Sequence, residues 1–235
     1  MKKILICNHK MYLTHDEAYN LAADMKTLDT NDAHLVVCPS FLNFDLFNDY
    51  ELGAQDAYYE DKGPYTGEVS AYDLSLRKIE YVIVGHSERR EIDTDEIINK
   101  KIKAVLNNGM TPILCIGETK IEKELMKTPE VLKRQLTKAF KDIALEPYQQ
   151  VFIAYEPRFL ISGNKAINKD EIEDVILYIK KVLEMLNIAN YKILYGGGVN
   201  KENINNIKSN LVDGYLIGGA STNFVELKNI LECIK

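Results

Sequence analysis

Val151-Phe152-Ile153-Ala154-Tyr155-Glu156-Pro157 is an apolar run, rich in β-branched and aromatic residues, that stops abruptly at a carboxylate and a proline. It reads as a buried strand that delivers one acid, Glu156, to its mouth. Pro157 biases Glu156 toward extended backbone and stiffens the chain where the next segment begins, which suits a base that must not wander. An isolated strand-terminal glutamate ordinarily points into water, so the meaning of Glu156 depends on the rest of the chain.

Working outward, further short apolar runs of strand length occupy 4–7, 34–38, 52–54, 81–84, 111–115, 192–195 and 214–217, which with 151–155 makes eight. Most of the intervals carry helical periodicity, at 16–28, 95–107, 129–143, 169–186 and 224–234, with weaker segments at 74–78 and 203–207 and a compact aromatic interval at 39–50. Thr14-x-x-Glu17 is a capping-box signature, and Thr94 or Asp95 can cap the helix that follows. Eightfold alternation of strand and helix implies a parallel sheet, and eight strands can close it into a (β/α)8 barrel of the α/β class. An open doubly wound sheet is the alternative, but no glycines take the dinucleotide-binding spacing after the first strand. No linker, low-complexity tract or charge block divides residues 1–235, so a single domain is expected.

The apolar fraction of 46% with 27% charged residues describes an ordinary globular chain. A net charge of -6 and a pI near 5.4 argue against nucleic acid and anionic membrane as partners. No apolar run approaches membrane length, and the one at the N-terminus is broken at Asn8-His9-Lys10, too early for a signal peptide. Cys7, Cys38, Cys115 and Cys233 are widely spaced without metal-ligand spacing and read as reduced thiols of a cytoplasmic protein.

In such a barrel the carboxyl ends of the strands face the active site. Here those ends carry Asn8 and Lys10, then Gly85-His86-Ser87-Glu88-Arg89-Arg90, then Glu156, then Gly196-Gly197-Gly198 and Gly218-Gly219-Ala220-Ser221. One glycine pair is most often just a turn. Two glycine-rich turns after strands seven and eight let backbone N–H groups close on an anion, so an acidic protein can still hold a phosphate. Ser87-Glu88 can open a short helix, whose N-terminus would keep the His86 imidazole neutral and able to polarise a carbonyl. Glu88 either caps that helix or pairs with Lys10. A lone histidine or strand-end lysine is usually structural or solvated, but Lys10 beside a phosphate and a developing oxyanion would stabilise both charges, and Asn8 can donate to a substrate oxygen. Cys115 reads as packing only, and Arg89-Arg90 as a salt-bridging or interface pair.

A carboxylate, a neutral imidazole, a lysine and a phosphate cradle around one cavity suit proton transfer next to a carbonyl. The base takes a proton from carbon, the other groups stabilise the enediolate, and the proton returns one carbon away. That is an aldose–ketose isomerase, and the scheme requires neither a metal nor a cofactor.

The motifs also resemble the triosephosphate isomerase family along the whole chain. They comprise Asn8-x-Lys10, Gly53-Ala54-Gln55, Thr66-Gly67-Glu68-Val69-Ser70, Val84-Gly85-His86-Ser87-Glu88-Arg89-Arg90, Cys115-Ile116-Gly117-Glu118, Ala154-Tyr155-Glu156-Pro157, Tyr195-Gly196-Gly197, and Asp213-Gly214 with Gly218-Gly219-Ala220-Ser221. A glutamate base with a histidine kept neutral by a helix N-terminus is that family's own arrangement, so the electrostatic reading of His86 belongs to the resemblance as much as to the residues. The resemblance implies a TIM barrel that interconverts dihydroxyacetone phosphate and glyceraldehyde 3-phosphate, with Glu156 as base, His86 as electrophile, and Asn8 and Lys10 on the substrate. It further implies a homodimer in which the segment around Tyr65-Thr66-Gly67 reaches the neighbouring subunit.

Some positions depart from the family pattern. The segment Arg158-Phe159-Leu160-Ile161-Ser162-Gly163-Asn164 replaces Val-Trp-Ala-Ile-Gly-Thr-Gly in the lid that closes over substrate. Ser162 stands where a glycine would donate its N–H to phosphate, and Gly198 stands where a serine is usual, beside Gly218 and Gly219 in the expected phosphate site. Cys7 and His9 replace the usual Gly and Trp around Asn8. These departures keep open an isomerase for another short phosphorylated sugar, or a non-catalytic barrel that only binds one.

Overall fold

A computed structural model describes residues 2–160 and 167–234. Eight parallel strands close into a barrel in sequence order, β1 (Lys3–Asn8), β2 (Ala33–Cys38), β3 (Glu51–Ala54), β4 (Tyr81–Val84), β5 (Thr111–Ile116), β6 (Val151–Tyr155), β7 (Tyr191–Tyr195) and β8 (Gly214–Ile217). Closure is made by β8 on β1, with Ile4 opposite Gly214 and Cys7 opposite Ile217. Gly214 is obligatory there, because a Cβ would stand 2.0 Å from the Ile4 carbonyl oxygen.

Side chains alternate along each strand between the barrel interior and the helix layer. Ile4 and Ile6, Val36 and Cys38, Tyr81 and Ile83, Ile113 and Cys115, Phe152 and Ala154, Leu194, and Leu216 form the interior cluster. On β3 the interior position is Gly53, whose Cβ would lie 2.5 Å from Cys38 Sγ, so the neighbouring strand fills its space. The opposite parity, Leu5, Val37, Val82, Leu114, Ile153 and Ile193 among others, packs under the helices. This parity positions the site. Two residues beyond the last interior side chain of β1, β6, β7 and β8 come Asn8, Glu156, Gly196 and Gly218, all on the inward phase at the carboxyl rim.

The outer layer is α1 (His15–Met25), α2 (Ala71–Leu76), α3 (Asp95–Asn107), α4 (Lys120–Glu124), α5 (Thr128–Ala139), α6 (Lys169–Met185), α7 (Ile204–Ile207) and α8 (Phe224–Ile234). Thr14 and Glu17 form the expected capping box on α1, and Thr94 rather than Asp95 caps α3 through the Ile97 N–H. Such caps are worth about 1 kcal/mol each. Three helix boundaries differ from the sequence reading by three residues or more. α1 and α5 stop at Met25 and Ala139, short of 28 and 143, and α2 begins at Ala71 because Ser70 caps it. The aromatic interval after β2 is a 3-10 helix, Phe41–Phe47. α4 was not foreseen: none of its residues is buried, so it leaves no apolar period, only the Thr119 and Glu122 capping box.

Candidate active site

Asn8, Lys10, His86, Glu156, Gly198, Gly218 and Gly219 all line one cavity of about 400 Å³ at the carboxyl rim. Ser162, the remaining site residue read from the sequence, lies outside the described residues, as does most of the lid. The cavity is also lined by Tyr12, Asn200, Glu202 and Glu226, which no motif singled out. They sit in loops or on a helix start, where period and run length carry no signal.

Glu156 enters from the end of β6 and is only 4 % exposed. Its backbone N–H donates to the Ile116 carbonyl at 2.8 Å, so the β5–β6 ladder extends by one bond to hold the acid. Two glycines make room for it. A Cβ at Gly117 would fall 1.9 Å from the Glu156 carbonyl oxygen, and one at Gly196 would fall 2.7 Å from Glu156 Cγ. Gln135, buried on α5, clamps Gly117 from behind, accepting its N–H at 2.9 Å and donating to its carbonyl at 3.1 Å. In the sequence Gln135 is marked only by falling on the same helical face as Val131, Leu132 and Leu136, which does not reveal its partner. Oε2 of Glu156 has no hydrogen-bond partner among the described residues. Burial raises the Cys115 thiol well above its ordinary range, with the nearby Glu156 carboxylate adding to it, so this cysteine remains a neutral packing neighbour.

The helix expected to open at Ser87-Glu88 does not form. Gly85 adopts φ +70, and residues 87–92 make a succession of turns in which the Arg89 N–H donates to the His86 carbonyl at 2.8 Å. The intervening Asp93 and Thr94 cap redirect the chain so that α3 starts only at Asp95. A helix dipole is therefore not the device acting on His86. Instead the Glu88 backbone N–H donates to Nδ1 at 3.2 Å. An Nδ1 that accepts leaves the neutral ring with its proton on Nε2, a tautomer assigned from the hydrogen-bond pattern. Nε2 lies 3.6 Å from Oε1 of Glu156.

Lys10 has a left-handed backbone, φ +49, held from two sides. Its N–H donates to Asn8 Oδ1 at 3.2 Å, and its carbonyl accepts from Gln55 Nε2 at 2.8 Å. The first bond occupies the oxygen of Asn8 and leaves the amide N–H groups of that side chain available to a ligand. The ammonium of Lys10 pairs with Glu88 Oε1 at 2.7 Å, which resolves the two roles considered for Glu88 in favour of the ion pair. It also overhangs the glycine turn after β8, since a Cβ at Gly218 would meet Lys10 Cε at 3.4 Å.

That turn continues as a 3-10 helix, Gly219–Thr222, and the N–H groups of Gly219 and Ala220 have no acceptor among the described residues. Gly198 has φ +65 and spends its own N–H on the Gly196 carbonyl at 3.2 Å. The anion-binding potential of the rim thus lies more on the eighth-strand turn than on Gly198. Arg89 and Arg90 are salt-bridged as read, Arg90 to Asp95 at 3.0 Å and Arg89 to Asp56 at 2.9 Å. At the end of β6, Tyr155 donates to the fully buried Glu118 at 3.1 Å, and just beyond it the Arg158 N–H donates to the Glu118 carbonyl at 3.0 Å.

A family model described as "Triosephosphate isomerase" matches residues 3–234. Among curated relatives, a "Triosephosphate isomerase" from Clostridium perfringens (strain SM101 / Type A) is 39% identical, over 93% of this chain and 94% of the relative. One of the same name from Moorella thermoacetica is 38% identical over 98% of both chains, and one from Alkaliphilus oremlandii is 36% identical over 98% of both.

Proposed function

The chain belongs to the triosephosphate isomerase family, and on that premise we propose that Glu156, His86, Lys10 and Asn8 carry the reaction. The reaction is the interconversion of dihydroxyacetone phosphate and D-glyceraldehyde 3-phosphate, an aldose–ketose isomerisation. The single observation that carries the assignment of roles is the facing pair of Glu156 Oε1 and His86 Nε2 at 3.6 Å, with the Nε2–H tautomer set by the Glu88 N–H.

Glu156 takes a proton from the carbon beside the substrate carbonyl, through a carboxylate that two glycines leave room for. Nε2–H of His86 donates to the oxygen on which charge develops, and the Lys10 ammonium offsets that charge and the charge of the phosphate. Asn8 donates its amide N–H to a substrate oxygen. Glu156 then returns the proton to the adjacent carbon, and His86 Nε2 passes a proton to the former carbonyl oxygen while taking one from the neighbouring hydroxyl, so that both the carbon and the oxygen protons change places. Phosphate is held by the N–H groups of the turn that begins at Gly218 and Gly219, Gly198 borders the same cavity, and Ser162 is the further residue to which phosphate contact is assigned from the sequence. No cofactor enters these steps.

The active unit is a homodimer of single-domain subunits joined through the segment around Thr66. Support comes from its aromatic composition. Tyr58 stacks on Tyr59 with ring centroids 4.3 Å apart, and Tyr65 lies 4.7 Å from Tyr58 while 39 % exposed. A cytoplasmic location agrees with four unpaired cysteines, and none of the described helices is long and apolar enough to cross a membrane.

Turnover of dihydroxyacetone phosphate in deuterated water tests the reading. The expected product carries deuterium on carbon. Faster turnover of a phosphorylated tetrulose would reassign the substrate, and binding without deuterium uptake would remove the base.

A further inference from the structure

Beside the cavity three buried charged side chains, Lys101, Asp56 and Asp93, meet a fourth, Arg89, that is half-buried. Lys101, on α3, is 1 % exposed, and its ammonium donates to Asp56 Oδ1 and Oδ2 at 2.8 Å each and to Asp93 Oδ2 at 2.7 Å. Arg89 closes the group, its Nε 2.9 Å from Asp56 Oδ2 and 3.2 Å from Asp93 Oδ2. Two cations and two carboxylates cancel, and none of the four lines the cavity.

Desolvating such a cluster costs about as much as its internal attraction returns, so stability alone is a weak reason for it. Oriented charges do have one good arrangement, and they fix the segments that carry them. Asp56 follows Gln55, which donates to the Lys10 carbonyl at 2.8 Å and to the Cys38 carbonyl at 3.1 Å. That bond holds a lysine in the left-handed region, where a side chain with a Cβ stays only under constraint. On the other side Arg89 follows Glu88, whose carboxylate takes the Lys10 ammonium and whose N–H donates to His86 Nδ1. The turn is closed by the Arg89 N–H on the His86 carbonyl at 2.8 Å and the Asp93 N–H on the Arg89 carbonyl at 2.7 Å. Two routes therefore lead from Lys101 to Lys10. One ends on its backbone carbonyl, the other on its ammonium by way of Glu88, whose N–H also holds His86.

We propose that Lys101 is a positioning residue for the isomerisation, locking the segment after β3 against the turn after β4 through Asp56, Asp93 and Arg89, and thereby fixing Lys10 and His86 for the substrate. The proposal rests on the reading of Lys10 and His86 as groups that touch substrate.

The test is the charge-balanced variant Lys101→Met with Asp56→Asn, which removes one cation and one carboxylate and leaves the Arg89 and Asp93 pair. Where circular dichroism shows that it does not fold, the isosteric Asp56→Asn alone carries the test. Parent and His86→Gln proteins are assayed beside it, and kcat, KM and the ¹⁵N resonances of His86 are recorded. The folded variant is expected to lose roughly ten- to hundredfold in kcat, the scale of a misplaced reacting group. Its His86 resonances are expected to depart from those of a single Nε2–H tautomer. A kcat within about twofold of the parent, or an unaltered His86 spectrum, overturns the proposal. Should His86→Gln turn over as fast as the parent, the reading of His86 falls and takes this proposal with it. Dependence on His86 beside an unimpaired double variant removes only the role of Lys101.

Discussion

His86 Nε2 faces Oε1 of Glu156 at 3.6 Å across the floor of the cavity. Neither group is tied to the other by a hydrogen bond at that distance, so both can engage neighbouring atoms of one small substrate. The arrangement makes a spectroscopic prediction. With Nδ1 accepting from the Glu88 N–H, the ¹⁵N spectrum of neutral His86 should show a protonated Nε2 and an unprotonated Nδ1. His86→Gln should lower kcat by about 10²- to 10³-fold, the usual loss for one donor to a developing oxyanion. A protonated Nδ1 in the resting protein would contradict the tautomer.

Gly196 sits where a methyl group would be 2.7 Å from Glu156 Cγ and 3.1 Å from its Oε1. Gly196→Ala should therefore displace the carboxylate while leaving the barrel folded. Displacement of a reacting group by about 1 Å costs on the order of 10²-fold, and kcat should fall by that amount with an unchanged circular dichroism spectrum. An alanine variant with the parent kcat would show that the carboxylate position is not critical.

The Gly218 position follows the same parity on β8, its Cβ direction meeting Lys10 Cε at 3.4 Å over the turn proposed to hold phosphate. Gly218→Ala should narrow the anion cradle, raising KM for the phosphorylated substrate by about tenfold with a smaller change in kcat, as expected for lost binding common to ground and transition states. Steady-state kinetics check the split between the two constants.

Much of this was readable in the chain because one period governs both core and site. The alternation that fills the interior with Phe152 and Ala154 also brings Glu156 inward, and the same count from Leu194 and Leu216 reaches Gly196 and Gly218. What escaped was set by single backbone contacts or by neighbours distant in sequence. Whether Ser87-Glu88 opens a helix or a chain of turns depends on φ at Gly85 and on the Arg89 and Asp93 ion pair, neither of which has a period. Gln55 and Gln135 hold Lys10 and Gly117 through carbonyls that only the closed barrel brings near. α4 packs no buried face, so it leaves no apolar period and only the Thr119 and Glu122 capping box marks it.

His9, between Asn8 and Lys10, is 2 % exposed and stacks edge-on against Phe47 with centroids 5.2 Å apart. Neither ring nitrogen has a partner among the described residues, and burial lowers its pKa from 6.5 to about 4. The folded group binds its proton less readily than the unfolded one. Stability is therefore complete above pH 6.5 and falls as pH drops from there toward 4, by about 3 kcal/mol over the window. His9→Phe keeps the aromatic contact and removes the titration, so denaturant melts at pH 7 and pH 4.5 should differ less in the variant than in the parent. An equal difference in both would place the acid sensitivity elsewhere.

Of the proposed roles, that of Glu156 as the base is the one on which the reaction most directly depends. Turnover of dihydroxyacetone phosphate, coupled to consumption of glyceraldehyde 3-phosphate, is to be compared for the parent and Glu156→Gln proteins. The amide is isosteric but cannot take the proton, so kcat should fall by about 10³-fold or more while KM stays within about threefold. A Glu156→Gln protein with the parent kcat would contradict the account at its centre.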